Sequence, residues 1–142
     1  MRRAPCISLV LLLVACSSPA DSLWPLTIKH QELRVEIADY PEAHHRGLMF
    51  RESLPENQGM LFVYREAHVL SFYMRNTKIP LDIAFLSDDG AIQQIEAMQP
   101  FDETSHVSRQ PARYALEVNQ GWFARYQVAV GDRVENLPRP LP

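Results

Sequence analysis

Four polar side chains stand where they would do chemistry: Arg46, Asn76, Asp82 and Glu117. Asp82 interrupts the apolar run at residues 80–86 (PLDIAFL) just after it begins, and Glu117 interrupts the run at 114–118 (YALEV). Strand periodicity places Asp82 on a face with Ala84 and Leu86, and Glu117 on the face opposite Leu116 and Val118. Both carboxyls therefore need partners, because an isolated charge among apolar neighbours is prohibitive. Arg46 and Arg51, beside a short helical segment, are the basic candidates. Two arrangements meet the need. One is an ion-pair and hydrogen-bond network that clasps the loop at 77–80. The other is a polar pocket of Arg46, Asn76, Asp82 and Glu117 that takes a small polar ligand. With two acids, such a pocket would also suit hydrolysis of an envelope glycan, Arg46 acting as an electrostatic clamp.

Other chemistries find little support. His44 and His45 are adjacent, so on a helix they point about 100° apart and share an ion poorly. His30, His68 and His106 are scattered, without HxH or HExxH spacing. Met49, Met60, Met74 and Met98 would suit Cu(I) as soft thioethers, but among aromatics they read as core fillers. No metal is expected, and no motif requires a cofactor. Ser105 and His106 are neighbours in sequence and do not form a dyad, and there is no Gly-rich phosphate loop.

The N-terminus reads as a targeting segment. Arg2 and Arg3 precede a short apolar stretch at 7–14, too short to span a bilayer. It ends in Leu13-Val14-Ala15-Cys16, which resembles the lipobox of bacterial lipoproteins, where the cysteine is acylated. Lipid on Cys16 would be the membrane attachment. Ser17, rather than Asp, after it favours an outer-membrane location facing the periplasm. Cys6 leaves with the leader, so the folded part contains no thiol and must stand without a disulfide. Without Arg2 and Arg3 the 14 basic residues fall to 12 against 17 acidic ones. With no basic cluster, nucleic acid is not an expected partner.

Positioning falls to strands. Alternation at 26–30 and 31–38 predicts two, each with one face buried. Asp39-Tyr40-Pro41-Glu42 predicts a helix start, running to about Met49. Residues 59–64, 69–75 and 81–87 read as strands. Asp88-Asp89-Gly90 is a turn that returns 91–98 as a hairpin partner. A loop at 100–111, a strand at 113–118, a short helix capped by Asn119, and a last strand after Gly131-Asp132 complete the chain. The sum is a mainly β (α+β) domain, an antiparallel or mixed sheet or small barrel of about seven strands with two short helices. The expected organisation is a leader at 1–15, a lipidated stem at 16–25, a single domain at 26–136 and a Pro-rich tail at 137–142.

Four segments, HRGLMFRESL (45–54), GMLFVY (59–64), FYMRNTKIPLDIAFL (72–86) and YALEVNQGW (114–122), resemble domain-of-unknown-function family 192, also known as uncharacterised protein family 0127. The resemblance covers the chain from about Leu26 to Val134. It implies a compact β-rich domain, often exported or membrane-anchored, and assigns no catalytic residues. The expected function is a lipid-anchored envelope accessory module that binds a small polar ligand or an envelope protein. The alternatives are the carboxylate-dependent hydrolase and a purely structural envelope lipoprotein.

Overall fold

The computed structural model describes residues 23–139. The expected leader and stem residues up to 22, Cys16 among them, and residues 140–142 lie outside the described residues. Strands β1 (Trp24–Ile28) and β2 (Gln31–Ala38) form an antiparallel hairpin. Its two-residue turn is made by Lys29, at φ 56°, and His30. Helix α1 (Pro41–Arg46) then carries the chain across to β3 (Gln58–His68), which lies parallel to β2. The helix stops short of the expected Met49 because Gly47 turns out of helical space at φ 47°.

After β3 come β4 (Ser71–Phe72), β5 (Leu81–Leu86), β6 (Ile92–Met98), β7 (His106–Val107), β8 (Ala112–Asn119), α2 (Trp122–Arg125) and β9 (Val134–Glu135). Seven strands form one mixed sheet in the order β6-β5-β8-β3-β2-β1-β9, while β4 and β7 pair separately. The sheet curls until its two edges touch at one end. Ile92 N–H donates to Asp132 O at 2.8 Å, and Val134 N–H donates to Gly90 O at 2.9 Å. The result is a half-barrel, mainly β as the alternating pattern predicts.

Period-2 alternation gives the sheet two apolar faces and therefore two cores. The inner face buries Leu33, Val35, Leu61, Leu116 and Val118 together with Trp122 and Phe123 of α2. The outer face buries Met60, Phe62, Ile83, Phe85 and Ala115 under Leu48, Phe72, Met74 and Ile79. This outer cover consists of α1, the segment after it, the two-stranded β4–β7 strap and the loop between β4 and β5. Buried Gln94 fastens the strap: its amide donates to Val107 O at 3.1 Å, and its Oε1 accepts from Arg109 N–H at 2.8 Å.

Two local expectations are corrected. Residues 69–75 do not make a full strand, because their backbone turns to the strap instead of the main sheet. Met74 N–H donates to Asp102 O at 2.7 Å, and Ser108 N–H donates to Leu70 O at 2.9 Å. Asn119 does not cap α2: its amide donates to Leu54 O at 2.8 Å, tying β8 to the segment before β3. The acceptor at the start of α2 comes from β5 instead, from Asp82.

Candidate functional site

The antiparallel register of β8 fixes where its acid goes. Glu117 lies opposite Met60 of β3 on one side and Ile83 of β5 on the other. Directly opposed residues share a face, so Glu117 belongs to the outer core. It is 5% exposed. No described side chain or backbone group hydrogen-bonds or ion-pairs with it. It contributes to the lining of a cavity of about 450 Å³ between the outer face and the cover. Burial pushes its carboxyl up from 4.5 to about 8, so the group is a neutral acid at pH 7.

The walls follow from the same period. Phe62 and Tyr64 stand two and four residues beyond Met60, on the face that carries Glu117. Phe72 of β4 and the adjoining Tyr73 contribute from the cover, and α1 contributes His44 and Arg46. Desolvation, with the Glu117 charge adding to it, pushes the Tyr64 hydroxyl up to about 12. His44 stacks on Tyr64 with ring centroids 4.4 Å apart. Its Nε2 lies 2.9 Å from Ala38 O and 3.1 Å from Val63 O. Both partners are acceptors, so Nε2 carries the hydrogen. Those carbonyls lie where the β2–β3 ladder ends, and His44 thereby pins α1 to the sheet while presenting its ring to the cavity. Gly47 keeps the rim open: a Cβ there would stand 3.3 Å from the Phe62 ring.

Of the four residues singled out from sequence, the structure brings two to this cavity, Arg46 and Glu117. Asp82 lies opposite Val118, on the inner face. The two acids thus leave opposite sides of one sheet and share no site, which removes the geometry for two-carboxylate hydrolysis. Asp82 Oδ2 accepts the backbone N–H of Gly121 at 2.8 Å. Burial raises its pKa and that hydrogen bond opposes the rise. It is a clasp, though for the β8–α2 turn and not for the loop at 77–80. Asp82→Ala is expected to cost about 1–2 kcal/mol, from the orphaned N–H, in urea unfolding. Asp82→Asn, which keeps an acceptor oxygen, should lose less than half of that.

Asn76 is a turn residue at φ 54°, with its carbonyl accepting from Phe50 N–H at 2.9 Å. Its side chain borders a separate shallow depression between Phe50 and Phe101. Neither arginine pairs with either buried acid. Arg51 reaches Glu36 on β2 through both terminal nitrogens, Nη2 at 2.6 Å from Oε2. Arg46 is exposed at the cavity mouth. Of the two arginines expected to neutralise the acids, Arg51 is used on Glu36 and Arg46 stays at the mouth, so neither pairs with Glu117.

Sequence reasoning missed His44, Tyr64, Phe72 and Tyr73. Tyr64 carried a usable signal: continuing the alternation from Met60 puts its hydroxyl on an otherwise apolar face. Phe72 and Tyr73 carried none, since their place depends on the strap. Among the described residues no group of His, Cys, Asp and Glu could hold a metal ion.

Two solved structures share this architecture. One is a protein of unknown function from Novosphingobium aromaticivorans DSM 12444, at 36% identity and TM-score 0.77, covering 80% of this chain and 84% of that one. The other, from Sinorhizobium meliloti 1021, is provisionally described as a transcription regulator; it has 37% identity and TM-score 0.74, covering 78% and 89%. No curated protein matches the chain. The DUF192 family, described as "Uncharacterized ACR", matches residues 25–136, and the chain belongs to that family.

Proposed function

We propose that this chain is a lipid-anchored envelope protein whose outer-face cavity binds a small organic ligand. One observation carries the binding reading: a buried carboxyl with no protein partner forms part of a cavity walled by aromatic rings. A buried polar group without a partner costs roughly 1–3 kcal/mol. A fold that only needed a filled core would place an apolar residue there. At about 450 Å³ the cavity has the size of a small-molecule site. With 17 acidic against 14 basic residues the chain offers no footprint for a phosphate backbone, which favours a small ligand over nucleic acid.

Anchoring rests on the sequence at 13–16. Among the described residues no helix is long and apolar enough to cross a membrane. Two or more acyl chains hold a protein stably, at about 0.8 kcal/mol per buried methylene. Cys16→Ser is expected to abolish acylation and move the protein out of the membrane fraction; acylated protein remaining there would contradict the anchor. The binding half is tested by amide NMR of the purified chain against a fragment library. Shifts should cluster at Phe62, Tyr64, Phe72 and Glu117, and hits scattered elsewhere would count against the cavity.

A further inference from the structure

We infer that the cavity selects an organic cation, a primary amine or guanidinium on an apolar stem, with Glu117 as its counter-ion. This inference rests on the cavity being a ligand site and goes on to name the ligand class. Three placements carry it. Glu117 is the one carboxyl among the described residues that reaches the cavity. Neither candidate arginine pairs with Glu117, Arg51 being committed to Glu36 and Arg46 exposed at the mouth, which leaves the charge site open to a ligand. The walls beside Glu117 are the rings of Phe62, Tyr64, Phe72 and Tyr73, whose faces attract a cation and whose bodies bury an apolar stem.

A neutral hydroxyl or carbonyl would satisfy the protonated acid with one hydrogen bond. A cation gains more, since it pairs with the ionised acid and with the ring faces together. The exposed Arg46 charge at the mouth opposes a cation only weakly, because solvent screens it.

Binding then has a proton balance. The free protein holds a proton on Glu117 at neutral pH, and the cation must displace it to solvent. Affinity for a cation is therefore expected to rise up to tenfold per pH unit from pH 5.5 and to level off above about 8. The other titratable groups facing the cavity are His44, His45, Tyr64, Tyr73 and Arg46. The Glu117→Gln variant separates their effects from that of the acid.

The test is calorimetry on the full chain with phenethylamine, its neutral isostere 2-phenylethanol, and 3-phenylpropionate, each in two buffers of different ionisation enthalpy. Phenethylamine should bind at least tenfold more tightly than either, and should release close to one proton per molecule at pH 6.5. Glu117→Gln should abolish both the preference and the release, with its amide spectrum otherwise that of the wild type. Equal binding of phenethylamine and 2-phenylethanol without proton release would overturn the cation assignment and leave the cavity a ligand site. No binding of any probe up to its solubility would overturn both.

Discussion

Replacing Glu117 by Gln should stabilise the protein in alkaline solution and change little in acid. The shape of Gln matches that of the protonated acid, so packing is kept and only the titration is removed. In the native state the carboxyl holds its proton up to about 8, whereas in the unfolded chain it releases it near 4.5. Below about 4.5 both states are protonated, and the contribution of the group is fully present. Between 4.5 and 8 only the native state keeps the proton, so stability falls as pH rises. Above about 8 both states are ionised and the loss is complete. A shift of this size corresponds to roughly 5 kcal/mol, a large share of the 5–15 kcal/mol typical of a domain. Urea unfolding at pH 4 should give similar midpoints for the two proteins. At pH 9 the Gln variant should be the more stable by several kcal/mol. Parallel stability curves from pH 4 to pH 9 would show that Glu117 is paired or hydrated.

Gly59→Ala should be strongly destabilising although it adds a single methyl group. Gly59 starts the buried part of β3 and lies opposite Val118 on β8. A Cβ there would stand 2.4 Å from the Glu117 carbonyl oxygen, and 3.2 Å from a Val118 methyl. The first contact is with backbone in the middle of a sheet, so no side-chain rotation relieves it, and β3 and β8 must separate. Forcing atoms into a packed region costs about 1–3 kcal/mol, and the upper end is expected here. Gly121→Ala is the control. Its Cβ meets nothing within 4 Å, and only its φ of 87° opposes the substitution. That should cost about 1–2 kcal/mol. A Gly59→Ala loss no larger than that of Gly121→Ala, in thermal or urea unfolding, would mean that the two strands yield more easily than their ladder implies.

The legible part of this protein was the part governed by alternation. Residues 31–38 announced β2 to the residue, and Asp88-Asp89-Gly90 announced the β5–β6 hairpin, because both signals are local. The same rule put each acid on the correct side of its own strand. It did not say how two strands are registered, and register decides whether two faces coincide. Ile83, not Asp82, proves to be the neighbour of Glu117, and one residue of offset separates the acids by the thickness of the sheet. The parallel placement of β3 beside β2, and the strap over the outer core, depend on pairings between distant segments. No local pattern encodes those. The arginines illustrate the same limit. Arg46 and Arg51 are five residues apart and look interchangeable, yet the turn at Gly47 sends one to the cavity mouth and the other to Glu36.

The central claim is that Glu117 lies alone, neutral and accessible at the cavity. It is tested most directly by following the carboxyl carbon of Glu117 by NMR as the pH is raised in the absence of ligand. The signal should stay at the protonated position through neutrality and titrate at about 8. A midpoint near the ordinary 4.5 would mean a solvated or paired carboxylate, and would contradict the account.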